Sequence, residues 1–406
     1  MSTAAVDSRS PAEAGYFGPP ERARFGWLHR PATSARVGVV IVPPFGYEAV
    51  CAARSLRHLA DDAARAGLIA LRFDPDGTGD SAGDDLDPAR LEHWLASIDD
   101  ACALVRRAGA ERIVLAGVRL GALLAATCAA RRDDIAGVVA IAAVPTGKAL
   151  LREGSALQLA LGLAPPPPGA EMREREVVGF AISDETWEAI GALDMKASTR
   201  APAPRMLLID RDDRPPNDAW AAHLRALPVE VTQLRLPGYV DMTLDPHRTV
   251  VPTAIIEATV AFARSFASGG DAPAPMEPVL RKSMSIRRGA ADVREEAVWL
   301  DPHLFAIAAR PAAAPTRAVI LLNAGAVGRI GPNRLYVELC RRFADEGALA
   351  IRCDLSGIGD SLPREGENEN VVYHGRAIDD VAAAVRWAQA AGAREIVVAG
   401  LCSGAY

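Results

Sequence analysis

The chain has 406 residues, 50% of them hydrophobic and 24% charged, with a net charge of −6. That length allows two or more domains with well-buried cores, and the acidic balance excludes nucleic acid or an anionic membrane as a main partner. No segment approaches the roughly 18 apolar residues of a membrane span, and Met1 to Gly15 lacks the layout of a secretory leader; no membrane span is expected, and the cytoplasm is the expected location.

Taken in chain order, short apolar runs alternate with amphipathic stretches. Val37 to Val42 is bounded by Pro43-Pro44 and reads as a strand, Ser55 to Ala66 has helical spacing, and Leu68 to Phe73 is again strand-like. Leu91 to Ala108 reads as a helix, Arg112 to Ala116 as a strand, Ala122 to Arg131 as a helix and Ile135 to Val144 as a strand. The segment 146–204 changes character, with an apolar helical stretch (Leu150 to Leu163) and four consecutive prolines from Pro165 to Pro168, and reads as a lid inserted over a sheet. Strands resume at Arg205 to Ile209 and Val229 to Leu236, a closing helix spans Val251 to Phe266, and 269–278 is a linker rich in Gly and Pro. Alternation of this kind builds a doubly wound α/β architecture: a mostly parallel sheet with helices on both faces.

The pattern then recurs. Val39 to Val42 aligns with Val319 to Leu322, Phe73 to Ser81 with Cys353 to Ser361, and Ile98 to Asp100 with Ile378 to Asp380, all at an offset of 280. Gly117 aligns with Gly400 at an offset of 283. So long a period indicates duplication of a whole domain rather than a solenoid. The expected organisation is one domain at 1–268, a linker at 269–278, and the N-terminal half of a second domain at 279–406.

Both copies contain a strand followed by G-x-X-x-G. In Gly400-Leu401-Cys402-Ser403-Gly404 the central residue is a thiol; in Gly117-Val118-Arg119-Leu120-Gly121 it is an arginine, which cannot attack a carbonyl. The flanking glycines allow strand and helix to approach with no Cβ between them. Asp-x-x-Gly-x-Gly-x-Ser stands upstream of each, at Asp74 to Ser81 and Asp354 to Ser361. Gly77-Thr78-Gly79 and Gly357-Ile358-Gly359 lack the third glycine and the first-strand position of a dinucleotide-binding turn. On these motifs the chain resembles the α/β-hydrolase superfamily, in particular its serine aminopeptidase and lysophospholipase-like branch, from Val37 to Phe266 and again from Ala318 onward.

That resemblance implies tandem α/β-hydrolase-like sheets, the second incomplete, with Cys402 as nucleophile and the backbone N–H groups of Ser403 and Gly325 as oxyanion donors. A helix starting just after Cys402 would favour the thiolate. The family order of nucleophile, acid, histidine has no continuation after Tyr406, which leads to the expectation of a fragment of a longer protein. His374 precedes the nucleophile and reads as a surface or helix-start residue. In the first copy Arg119 holds the nucleophile position, Asp213 or Asp212 the acid position, and Val240 the position of the histidine, with His247 behind Pro246. That site is expected to be degenerate, Arg119 being either a relic or a fixed cation for a carboxylate or phosphate. The other cysteines, Cys51, Cys102, Cys128, Cys340 and Cys353, are scattered without C-x-x-C spacing and read as core residues, so no metal and no cofactor is expected. The leading function is a hydrolase or acyltransferase acting on an ester, thioester or amide of a small-molecule acyl substrate through Cys402; the alternative is an inactive two-domain binding or scaffold protein. Oligomeric state and substrate identity are left open.

Overall fold

The computed structural model describes residues 12–32, 35–160, 174–267, 279–288 and 291–405. The first part contains β1 (Ala12–Phe17), β2 (Arg24–His29), β3 (Val37–Val42), α1 (Tyr47–Arg65), β4 (Ile69–Phe73), α2 (Arg90–Arg107), β5 (Arg112–Val118), α3 (Leu120–Ala130) and β6 (Ile135–Ile141). Then come α4 (Gly147–Ala160), β7 (Glu174–Val177), β8 (Phe180–Ser183), α5 (Asp184–Ala192), β9 (Arg205–Arg211), α6 (Asp218–Arg225), β10 (Glu230–Leu236), α7 (Tyr239–Met242) and α8 (Thr253–Arg264). Eight of these strands form one sheet in the order β1-β2-β4-β3-β5-β6-β9-β10. β1 and β2 run antiparallel, and from β4 to β10 every pairing is parallel.

The strand residues explain why both faces must be covered. Val40 and Val42 of β3 and Ile113 and Leu115 of β5 point into one core with Trp94, Leu95 and Leu123 of α2 and α3. Val39, Ile41, Val114 and Ala116 point into the other, against Leu56 and Leu59 of α1 and Ile255 and Ile256 of α8. Successive side chains alternate faces, so an unbroken apolar run requires helices on both sides.

The second part contains β11 (Ser283–Arg288), β12 (Ala291–Trp299), β13 (Phe305–Arg310), β14 (Arg317–Leu322), α9 (Leu335–Asp345), β15 (Leu349–Cys353), α10 (Ala377–Ala390) and β16 (Glu395–Gly400). Its sheet runs β11-β12-β13-β15-β14-β16. The last five strands follow the same order and directions as β1-β2-β4-β3-β5, with β13 antiparallel to β15 and β14 parallel to β15 and β16. Among the described residues β16 pairs only with β14, and Val397 and Val398 are exposed.

Several expectations change. The helix read at Ser55 begins at Tyr47, and the strand read to Val144 ends at Ile141. The antiparallel strands ahead of each parallel set, β1-β2 and β11 to β13, have no counterpart in the sequence reading. In place of a helix after Cys402 the structure has a 3-10 turn over Cys402–Ala405. In the segment 146–204, α4 ends at Ala160, and the rest of the apolar stretch with the four prolines lies outside the described residues, as does the linker 269–278.

The two sheets meet through their Asp-x-x-Gly-x-Gly-x-Ser loops. Arg72 donates to Asp360 at 2.6 Å and Arg352 to Asp80 at 2.9 Å, so the two ion pairs interchange under the offset of 280. Phe25 and Phe305, also 280 apart, stack on each other with ring centroids 6.3 Å apart. Within each loop the bonds repeat: Phe25 N–H to Ser81 Oγ and Phe305 N–H to Ser361 Oγ are both 2.8 Å. Arg329 closes the junction by meeting Asp80 at 2.7 Å, Asp354 at 2.8 Å and Asp360 at 2.7 Å. Three arginines thus meet three aspartates at the junction, and removing one partner leaves the others with an uncompensated buried charge.

Candidate functional site

Strand β5 delivers Arg119 at the bend into α3. The backbone there has a φ of +55°, and Cys402 at the end of β16 has a φ of +54°. A side chain held at positive φ costs about 1–2 kcal/mol, so both bends are imposed by their surroundings. The surroundings are the glycines: a Cβ on Gly117 would lie 2.3 Å from the Gly121 carbonyl oxygen, and one on Gly121 would lie 2.3 Å from that of Val42. At the second bend a Cβ on Gly400 would lie 2.0 Å from the Gly404 carbonyl oxygen. Strand, bend and following turn therefore pack backbone against backbone in both places.

A mostly parallel sheet with an antiparallel strand beside β4, and a residue at positive φ lifted on a G-x-X-x-G bend after β5, decide the architecture. The fold is that of the α/β-hydrolases. No family model matches the chain, and no curated protein matches it. Among solved structures, it is similar to Est1E from Butyrivibrio proteoclasticus bound to ferulic acid, at 19% identity over 61% of this chain and 98% of that one, with a TM-score of 0.45. It is also similar to the α/β hydrolase GrgF from Penicillium sp. sh18, at 16% identity over 63% and 98% of the two chains with a TM-score of 0.46. A soluble variant of monoglyceride lipase from Saccharomyces cerevisiae, in complex with a substrate analogue, matches at 11% identity over 66% and 100%, with a TM-score of 0.45.

At the first bend the guanidinium of Arg119 is buried. It donates to Glu48 at 3.0 Å, to Glu153 at 2.6 Å and to the Ala142 carbonyl at 3.4 Å. Burial alone would make it less basic, but Glu48, Tyr239 and Glu153 outweigh that and raise its pKa. Both carboxylates it needs are already in place, so the arginine is a closed ion-pair centre and not an open cation for an incoming carboxylate or phosphate. Asp213 is taken up by Arg211 at 2.6 and 2.8 Å, and this hydrogen bond holds its pKa below the usual carboxylate range. Arg211 lies over the Tyr239 ring at 4.4 Å, and the Tyr239 hydroxyl donates to Glu48 at 2.8 Å. A chain of contacts thus links the acid position to the nucleophile position, but it contains neither a histidine nor a nucleophile. Val240 is exposed on α7, with no group able to act as a base. Tyr239 and Glu48, which organise this centre, were missed from sequence; Glu48 lies in the first turn of α1 and carries no motif.

At the second bend Cys402 is exposed, while the other five cysteines are buried. Burial pushes the thiols of Cys51, Cys102 and Cys340 up to about 12. The Gly325 N–H points at the bend and donates to Ser403 Oγ at 2.7 Å, and Leu401 N–H donates to the Tyr336 hydroxyl at 3.2 Å. His374 is held by Glu367 at 3.3 Å and accepts from the Arg376 N–H at 3.1 Å. Among the described residues no side chain makes a hydrogen bond or ion pair with the Cys402 sulfur, and no cluster of His, Cys, Asp or Glu is arranged to hold a metal ion. No helix among the described residues is long and apolar enough to cross a membrane.

A cavity of about 210 Å³ opens between the two sheets, at the carboxyl ends of β3, β4, β14 and β15. The insertion between β6 and β9 reaches it: Phe180 of β8 lies against Phe45 with centroids 6.0 Å apart, and Phe45 lies against Trp94 at 5.3 Å.

Proposed function

We propose that the chain is a hydrolase or acyltransferase acting on an ester, thioester or amide of a small acyl substrate, with Cys402 as nucleophile. It carries two α/β-hydrolase-like units, 1–268 and 279–406, the first being a non-catalytic partner. The observation that supports this most is the exposed thiol at φ +54° on the bend after β16, next to the Gly325 N–H. Thiolate is the attacking species. Its sulfur forms a bond to the substrate's acyl carbon as the bond to the leaving group breaks, the leaving group taking its proton from water, which gives a thioester on Cys402. Water or another nucleophile then takes the acyl group and restores the thiol. The oxyanion of each tetrahedral intermediate falls to the N–H groups of Gly325 and Ser403, which requires the Ser403 hydroxyl to release the Gly325 N–H it now occupies.

The test is incubation of the whole chain with p-nitrophenyl acetate followed by peptide mapping. An acetyl adduct on the peptide carrying Cys402, absent from Cys402→Ala, supports the reading. A second reading, a binding or scaffold protein without turnover, is favoured by the first bend, where Glu48 and Glu153 close around Arg119. Absence of any adduct at Cys402 together with unchanged folding selects it.

A further inference from the structure

We propose that the cavity between the two sheets binds a small organic cation, an ammonium or guanidinium with an apolar body, anchored on the Asp74 carboxylate. Neither Arg119 nor Cys402 lines it; of the first bend only Leu120 does. Its wall contains five aspartates, of which Asp80, Asp85, Asp354 and Asp360 each meet an arginine. Asp74 is the fifth. Among the described residues its carboxylate accepts a single hydrogen bond, from the Asp80 N–H to Oδ2 at 2.8 Å.

The equivalent residue 280 positions on shows what Asp74 lacks. Asp354 accepts the matching bond from the Asp360 N–H at 3.0 Å, and in addition bonds from Asn323 Nδ2 at 3.1 Å, Arg329 N–H at 2.6 Å and Arg329 Nη1 at 2.8 Å. The guanidinium of Arg329 lies over the rings of Phe25 and Phe305, at 5.2 and 4.6 Å. In the first unit the aligned positions are Pro43 and Ala49, which offer no side-chain donor, and the backbone is already helical from Tyr47. A ligand cation flanked by the aromatic wall would do for Asp74 what Arg329 does for Asp354, with cation–π contact as a further attraction.

The remaining cations of the wall are already committed. Arg72 is held by Asp360, Arg90 by Asp85, Arg54 and Arg57 by Glu369, and Arg334 donates to the carbonyl oxygens of Gly79, Ser81 and Gly83. The Nε atoms of Arg57, Arg90 and Arg329 have no hydrogen-bond partner, but all three are sealed from solvent. Burial, with Asp80 and Asp360 adding to it and Arg329 opposing it, pushes the Asp74 carboxyl up to about 7. A cation therefore binds the ionised form and competes with the proton. The apolar body would rest on Phe45, Trp94, Leu120, Leu124 and Phe180.

The experiment is calorimetric titration of the full chain with hexylammonium chloride, hexanol and sodium hexanoate at pH 8. Hexylammonium is expected to bind at least tenfold more tightly than either of the others, and to weaken about tenfold at pH 6 as Asp74 takes up its proton. Asp74→Asn should lose at least tenfold for the amine, with its thermal midpoint recorded to confirm folding. Phe180→Ala, on the peripheral hairpin and away from the core, should weaken the amine several-fold without changing the pH response. Hexanoate binding as well as hexylammonium would overturn the proposal. So would amine affinity unchanged in a folded Asp74→Asn, or insensitive to pH between 6 and 8; the hexanoate and pH arms use the unaltered chain and remain decisive even if Asp74→Asn fails to fold.

Discussion

The bends at Arg119 and Cys402 share backbone geometry and differ in everything around the central side chain. Both sit at a φ close to +55° between glycines that leave no room for a Cβ. Arg119 is buried, and two carboxylates close around its charge. Cys402 is exposed, next to a backbone donor occupied only by a neighbouring hydroxyl. The shape of the bend thus belongs to the fold, and its chemistry is set by one residue and its neighbours. A strained φ at such a bend is not by itself evidence of activity, since the arginine bend keeps the strain without a nucleophile; it is the exposed thiol at the second bend that carries the reading.

The sharpest way to break this comparison is to remove what the two bends share. Gly121→Val places a branched side chain where even a Cβ would meet the Val42 carbonyl oxygen at 2.3 Å. It should cost more than about 4 kcal/mol or prevent folding, read by urea denaturation. The next largest effect concerns the junction between the two sheets. Arg329→Met leaves Asp80, Asp354 and Asp360 short of a buried cation and should cost about 3–5 kcal/mol in thermal unfolding. A smaller effect tests whether the first bend is closed. Arg119→Ser installs a hydroxyl but strands Glu48 and Glu153, so it should cost about 1–2 kcal/mol and add no esterase activity; activity gained there would show that a working base is present.

Acid titration probes the same junction. Glu295 is buried between Arg341 at 3.0 Å and Arg352 at 2.6 Å, and these cations overcome its burial and hold it at about 2. A carboxylate depressed in the folded state stabilises above its unfolded value and loses that contribution as pH falls. Stability should therefore drop between about pH 4.5 and 2 and do so less in Glu295→Gln, measured by thermal midpoint across that range.

What was legible in the sequence follows from what is local. β3, β5 and β14 are continuous apolar runs because parallel strands bury both faces, and the bends announce themselves through glycine pairs. β2 was illegible because Arg24, Gly26 and His29 interrupt it; Arg24 is buried by contacts with Ser97 and Asp100, made more than 70 residues away. The junction of Arg72, Arg352 and Arg329 was equally hidden, since each residue alone reads as surface charge and only the paired loops make it interior. The offset of 280 held the clue, because it maps Arg72 onto Arg352 and Asp80 onto Asp360. The closure of Arg119 depended on Glu153 in the insertion, whose placement no motif announces.

The most direct measurement is the alkylation of the native chain by iodoacetamide, mapped by peptide mass at every cysteine. The account predicts fast modification at Cys402 alone, with Cys51, Cys102, Cys128, Cys340 and Cys353 protected until the chain is unfolded. Modification of the buried cysteines at a comparable rate, or a Cys402 that stays unmodified in the folded chain, would contradict it.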